Sequence, residues 1–561
     1  MIPETGNKEL ELLKEAEGKP FRARFRTYLK LSGPGFLQSA LSLGGGSMAS
    51  SLYLGVLTGY SMLWLQPIGM LLGIIMLSAL GYITIVTGER PFRAINRHVN
   101  PVLGWAWALA ALLASIVWAM PQFSLANGVM QQNLFPGLLG ERGAMGGIAA
   151  MVVVSAAMLA VTYSVTWNYN RDHAGVVFYE WLLKGVVAVI VLSFAGVVIR
   201  LSFLTGSIDW GELARGFIPN PALIFRPAEG FLPLLEGLSG VSRAYWTELI
   251  VNRQQNVMAA ALSSAVGINM TFLFAYSMLR RKWSAEYRGL MKFDLLFGML
   301  IPFMLVTSFV IIAGTSQFHT VPQPGIIEEV PSELEPAADQ VNEYNRLLRN
   351  RVLYKMGPGS MADSEITAAL EELGREDRLL AATLITRDAF DLSSSLDPLL
   401  GSGYSRIIFG IGVLGMALSS ITLMMIISGF VVCEMMGRPY TGWEFRAGAL
   451  LPGLGVLGPF FWDQAFFWLA IPTSVITLLL LPVAYVTFLL MMNNRALMGE
   501  FMPKGRGRVI WNSLMVLAVT LITSTSLYML WMNGGFWGLG VLTLFLLIVG
   551  VAGWIKKMRQ P

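Results

Sequence analysis

The sequence predicts an all-α polytopic membrane protein with about twelve transmembrane helices. Three observations carry that prediction. Of 561 residues, 55% are hydrophobic and only 13% are charged, whereas a soluble domain carries about 25% charged residues. The mean hydropathy is +0.59. The basic residues cluster in short loops between long apolar runs, as they do at cytoplasmic membrane edges.

Residues 1–30 are polar and end in Lys19, Arg22, Arg24, Arg26 and Lys30, just before the first apolar run. They read as a cytoplasmic N-terminal segment, with no secretory signal. The predicted spans are roughly 31–58, 61–87, 102–133, 145–166, 176–203, 257–280, 292–315, 405–436, 444–462, 465–492, 508–532 and 536–556. Each is long enough to cross ~30 Å of hydrocarbon. With the N-terminus inside, four basic clusters fall on one side: Arg90, Arg93 and Arg97; Arg280, Arg281, Lys282, Arg288 and Lys292; Arg495, Lys504, Arg506 and Arg508; and Lys556, Lys557 and Arg559. A miscount of one span between any two clusters would break the agreement. The expected organisation is therefore 31–315 (spans 1–7, with an outer loop at 204–256), an acidic outer insertion at 316–404, 405–556 (spans 8–12) and a cytoplasmic tail at 557–561. Leu379–Leu400 has helical periodicity and could cap the membrane domain, but the simpler expectation is a solvated insertion.

Composition excludes several function classes. The net charge of +5 lies at membrane edges and gives no nucleic-acid surface. The single cysteine, Cys433, rules out an internal disulfide framework and a multi-cysteine metal site. His98, His173 and His319 all fall in connecting segments. No paired carboxylates, Ser/His arrangement or HExxH motif points to an enzyme, and no Walker-type loop points to ATP-driven transport. No cofactor is expected.

Span 1 carries Gly44, Gly45, Gly46 and Ser47 at mid-membrane. Each glycine costs ~1 kcal/mol against alanine in a helix interior, so three in succession predict an unwound stretch. Freed backbone groups at that depth must line a cavity or be buried in protein. Span 6 has a second candidate break around Ala265–Thr271, which includes Gly267, Asn269, Met270 and Thr271. Paired breaks in the first helices of two five-span units are a sequence pointer to a transporter's central site. Close helix packing on small residues is the alternative. Glu180 and Lys184 read as a self-paired contact four residues apart, worth ~0.2–0.5 kcal/mol. Asp294 and Glu434 read as caps or gate contacts at span ends.

Several stretches resemble the Nramp family of proton-coupled divalent-metal transporters: Gly33-Pro34-Gly35-Phe36-Leu37; Gly59-Tyr60 with Leu63-Trp64 and Val86-Thr87-Gly88; Gly415–Glu434; and Leu481-Pro482 with Asn494-Arg495-Ala496-Leu497-Met498-Gly499-Glu500. The resemblance implies a LeuT-type 5+5 inverted repeat with broken helices 1 and 6. It places substrate binding at Gly44, Gly45, Gly46, Ser47, Asn269, Met270 and Thr271. Because spans 1, 3, 6 and 8 line the path in that fold, it adds Gln122, Asn127 and Ser420 as further pathway residues. In that resemblance the family's Asp-Pro-Gly-Asn motif falls on Gly44-Gly45-Gly46-Ser47, its Met-Pro-His motif on Asn269-Met270-Thr271 or, one residue along, with its methionine at Met270, and its span-10 glutamine near Leu480.

A bare divalent cation needs several ligands, usually at least one of them anionic, and these positions offer none. The expectation is a secondary active transporter of a small solute or ion, without the family's usual transition-metal selectivity. Two alternatives are a manganese, iron or magnesium importer with non-standard coordination, and a non-transporting sensor or scaffold. The expected setting is the cell (inner) membrane, with the lipid bilayer and the transported species as partners; oligomeric state is not legible.

Overall fold

The computed structural model describes residues 4–558 except 169–173, 204, 205, 207, 239, 332–335, 355–361 and 463. His173, Glu333, Glu335 and Arg559 fall outside the described residues, as do the side chains of Glu180, Lys184 and Lys557. The described chain is helical. Span 1 consists of α1 (Pro34–Ser42) and α2 (Gly45–Thr58), bent by 52°. Spans 2 to 5 are α3 (Leu65–Thr87), α4 (Pro101–Val129), α5 (Ile148–Asn168) and α6 (Ala174–Phe203). Span 6 consists of α7 (Gly240–Ala265) and α8 (Ile268–Arg280), so helix begins well inside the segment expected as loop. Span 7 ends in α9 (Ile301–Phe318), span 8 is α10 (Ser402–Met436) and span 10 is α11 (Ala470–Met492).

Each break falls at a glycine. Gly44 (φ −74°, ψ 175°) and Gly267 (φ −80°, ψ 158°) are extended and precede α2 and α8. They fall in the first helix of each five-span unit, the LeuT-type arrangement. Span 9 is the irregular one: Trp443–Leu450 is α-helical, but Leu451–Phe460 is a 3₁₀ run holding Pro452 and Pro459. Its glycines let it lie flat on α4, since a Cβ at Gly455 would come within 2.6 Å of Ala119 Cβ. The last run, α12 (Gly505–Met558), is interrupted at Gly535, whose φ of 50° lies in the left-handed region. That position coincides with the gap between the last two predicted spans. Eight described helices are long and apolar enough to cross a membrane, and the bent pair α1–α2 makes a ninth.

Packing follows small residues. α2 and α9 approach closely because a Cβ at Gly55 would meet Ile311 O at 2.6 Å and one at Gly314 would meet Leu52 O at 3.2 Å. Such close approach lets helices associate where burial from lipid offers little driving force.

The insertion corrects one expectation. Leu380, Ala381, Leu384, Ala389, Leu392 and Leu396 are buried and join the core of the membrane helices. This stretch is a cap, not a solvated loop. Its charges are paired instead of hydrated. Asp388 accepts from the backbone N–H groups of Phe466 and Phe467 (both 3.1 Å) and from Gln132 Nε2 (2.7 Å). Tyr53 of α2 donates to Arg387 O, and Arg253 of α7 donates to Leu384 O. The cap thus ties together α2, α7, the end of span 3 and the start of span 10.

Burial pushes the Asp388 carboxyl up to about 6, against the opposing pull of Gln132 and Phe467 N–H. A raised acid pKa means that the folded state holds the proton more tightly than the unfolded chain. The stability this group contributes is full below about pH 4 and is lost as pH rises through about 6, on the order of 3 kcal/mol. Asp388→Asn should therefore melt with a flatter pH dependence between 4 and 6. The check is the wild-type-minus-variant difference in melting temperature across that window; a constant difference would contradict the assignment.

Candidate functional site

The two breaks face each other at the centre of the bundle. Hydroxyls of span 1 satisfy the carbonyls that end α7: Ser47 Oγ donates to Ser264 O (3.2 Å) and Ser42 Oγ to Ala265 O (2.9 Å). Ser50 Oγ pairs with Ser264 Oγ at 3.1 Å, and Gln38 Nε2 donates to Met270 O at 3.1 Å. The opposite end of the junction is left open. Gly44 gives α2 no side-chain cap, and among the described residues no protein acceptor pairs with the N–H groups of Gly45, Gly46 or Ser47.

Beside this junction lies a small cavity, with about 20 Å³ open to the centre of a water molecule. That is room for at least one water. Its walls include Leu41, Gly44, Gly46 and Ser47 of span 1, Gln122 of span 3 and Ser420 of span 8. Ser264, Ser474, Trp118 and Met424 complete them. Three of the lining side chains carry a buried polar atom without a partner: Gln122 Oε1, Ser420 Oγ and Trp118 Nε1. Buried polar atoms are nearly always hydrogen-bonded, so several orphans around one cavity call for an explanation. A ligand or solvent is one.

Of the residues read from sequence, Gly44, Gly46, Ser47, Gln122 and Ser420 line this cavity. Gly45 stands just behind the wall, its Cβ direction facing Leu125 and Gln122 Oε1. Span 6 contributes differently from expectation. Met270 turns its sulfur onto Gly267 N–H (3.3 Å) and closes the start of its own helix. Asn269 donates to Ser115 Oγ (3.2 Å), and Thr271 Oγ1 accepts from Trp107 Nε1 (2.8 Å). None of the three lines the cavity. Asn127 is likewise engaged elsewhere, donating to Ser155 Oγ (2.9 Å) and Phe123 O (2.9 Å). Span 6 is represented by Ser264, which the sequence reading passed over although it adjoins the break. Nothing in the sequence marks Ser474.

No carboxylate, histidine or cysteine lines the cavity. Among the described residues no group of three His, Cys, Asp or Glu side chains could hold a metal ion. Two buried acidic groups lie at helix ends instead. Asp294 accepts from Gly33 N (3.2 Å) and Gly35 N (2.6 Å), so it caps α1. Glu434, with a fully buried side chain, pairs with Arg90 Nη1 at 2.9 Å and accepts from Tyr440 Oη.

Comparison with known proteins agrees with this architecture. The family model for natural resistance-associated macrophage protein-like (Nramp) proteins matches residues 35–345 and 379–532, so the unmatched stretch between them falls within the insertion. The divalent metal cation transporter MntH of Brucella suis biovar 1 (strain 1330) is 22% identical over 305 residues, which are 54% of this chain and 58% of that relative. The chain thus aligns with little more than half of that relative's length. The crystal structure of a histidine-to-alanine mutant of the Eremococcus coleocola manganese transporter is similar with a TM-score of 0.61, at 16% identity over 97% of both chains. That transporter in complex with an aromatic bis-isothiourea-substituted compound gives 0.60, also at 16% identity and 97% coverage of each chain. With broken first helices in both five-span units and a family match over most of its length, the chain belongs to the Nramp family.

Proposed function

We propose that the protein is a secondary active transporter whose cargo binds at the junction of the two helix breaks, through neutral groups only. One observation carries this reading: Gln122 Oε1 and Ser420 Oγ, both buried and unpartnered, face a cavity that opens on the uncapped start of α2. Alternating access in this class of fold moves one repeat against the other around such a fixed site. Neutral oxygens offset the dehydration of a divalent transition metal poorly, so the usual metal selectivity of the family is not expected. We read the chain as a transporter and not as an enzyme, a reading that its family membership supports. The basic loops support a reading in which both termini are cytoplasmic, the 316–404 segment lies outside and the setting is the cell membrane.

A second reading has one specific support. The relatives named above are divalent-metal and manganese transporters, and the waters kept by a partly hydrated metal could donate to Gln122 Oε1 and Ser420 Oγ. Uptake into proteoliposomes separates the two. Manganese and magnesium uptake no faster than in protein-free vesicles is the expected result. Saturable, proton-coupled manganese uptake by the wild type would overturn the neutral-site argument and establish the second reading.

A further inference from the structure

We propose that the N-terminal helix Phe21–Leu31 is a docking surface for the headgroups of acidic phospholipids, in the leaflet that borders the start of span 1. The proposal does not depend on what the protein carries. Residues four apart are neighbours on a helix surface, so two rows run side by side along this one. Phe21, Phe25 and Leu29 form an apolar row, and Arg22, Arg26 and Lys30 form a basic row beside it.

Packing fixes the helix at the rim of the bundle and leaves these rows facing outward. Its other face is held: Tyr28 and Leu31 are buried, and the Tyr28 ring meets Phe293 edge-on at 5.4 Å. Phe25, at the border, meets Phe293 and Phe297 at 5.3 and 5.2 Å. Both partners belong to the start of span 7, where Leu296 and, on α1, Phe36 are exposed apolar side chains. Extended backbone at Ser32 (φ −58°, ψ 152°) separates the helix from α1, so it does not continue span 1. On the outward side Phe21 is 77% exposed and Leu29 47% exposed. Other cations of the N-terminal segment are engaged within the protein. Lys14 pairs with Glu286 (3.6 Å), Lys19 pairs with Glu15 (3.2 Å) and Arg24 donates to Tyr28 Oη (3.2 Å). Arg22, Arg26 and Lys30 are exposed, and none of them forms an ion pair among the described residues.

This pairing of rows selects the partner. An apolar row can enter the boundary of the acyl chains while the cations beside it reach lipid phosphates. A soluble anion would engage the cations and leave Phe21 and Leu29 in water. A bilayer of net-neutral lipids would take up the apolar row and leave three positive charges uncompensated. Arg281 Nη1 donates to Leu31 O (2.9 Å), and Asp294 caps α1 two residues further on. A lipid held on this helix therefore anchors the first half of the broken span.

The test is the melting temperature of the purified full-length protein in detergent micelles containing phosphatidylcholine, as phosphatidylglycerol replaces it at constant ionic strength. A saturable rise is expected for wild type. In Arg22→Gln/Arg26→Gln/Lys30→Gln the phosphatidylglycerol needed for half of the rise should increase at least tenfold, because three cations are lost from an anionic surface. Phe21→Ser, which keeps every charge, should raise it several-fold. Arg495→Gln/Lys504→Gln/Arg506→Gln removes three exposed cations from another basic loop and should respond like wild type. Each variant is first matched to wild type in phosphatidylcholine alone. If the triple variant of the helix fails that match, Arg22→Gln/Arg26→Gln takes its place. An unchanged response in the helix variant, or an equal loss in the loop variant, overturns the proposal. So does an equal rise with glycerophosphate or polyglutamate in place of phosphatidylglycerol, which would assign the cations to a soluble anion or an acidic peptide.

Discussion

Arg90→Ala is expected to destabilise the protein by about 3–5 kcal/mol, because it strands a buried carboxylate. Glu434 has no exposed side-chain surface and depends on Arg90 Nη1 at 2.9 Å for its charge partner. The Arg90 guanidinium also lies 5.0 Å from the centre of the Tyr440 ring, and Tyr440 Oη donates to the same carboxylate. The three residues join the loop after span 2, the end of span 8 and the loop after it. Removing both charges together should cost much less than removing the arginine alone, since a neutral Glu434→Gln leaves no unpaired charge. Denaturant melts of Arg90→Ala, Glu434→Gln and the double variant close the cycle. Additive losses would show that the two residues act separately.

Gly44→Asp is the second large effect. A carboxylate at this depth costs ~2.5–3.5 kcal/mol without a partner, and here its first carbon would also meet Ser420 Oγ. The single variant should melt well below wild type. Combining it with Ser420→Gly relieves the collision and supplies an anionic ligand within the break. The double variant should gain manganese affinity at least tenfold over wild type, with manganese raising its melting temperature. Calorimetric titration measures the affinity directly. Equal manganese binding by wild type and double variant would mean that position 44 does not face the ligand.

Much of the site could be read before the structure, because the physics involved is local. Successive glycines at mid-membrane weaken a helix, and the chain breaks at Gly44, while Gly45 and Gly46 already open α2. Polar residues such as Gln122 and Ser420 in otherwise apolar spans have few roles besides pairing or lining a path, and both line the cavity. Span 6 was harder. Three consecutive helical residues point in different directions, so a motif names a region and not a face. Asn269 and Thr271 bond to span 3, while Met270 folds back on Gly267. Ser264 and Ser474 were invisible because a serine in a membrane helix most often bonds its own preceding turn. The cap was misjudged for the opposite reason. Arg387 and Asp388 look solvated in sequence, yet each finds partners only the fold can bring: Val321 O (2.5 Å) for the arginine, and the backbone of Phe466 and Phe467 for the aspartate.

The cavity at the helix breaks is expected to be the point of alternating access. It can be tested without knowing the cargo. Cys433 is the sole cysteine and is buried, so a Cys433→Ala background is chemically silent. Gly46→Cys adds a thiol at a lining position where a Cβ would make only an ordinary contact, 3.4 Å from Gln122 Nε2. The measurement is alkylation of that thiol by a membrane-impermeant reagent, applied in turn to right-side-out and inside-out vesicles. Labelling from both sides is the expected result, because each face must open onto the same cavity during the cycle. Labelling from one side only, or from neither, would contradict alternating access at this site and favour a sensor or scaffold that kept the fold alone.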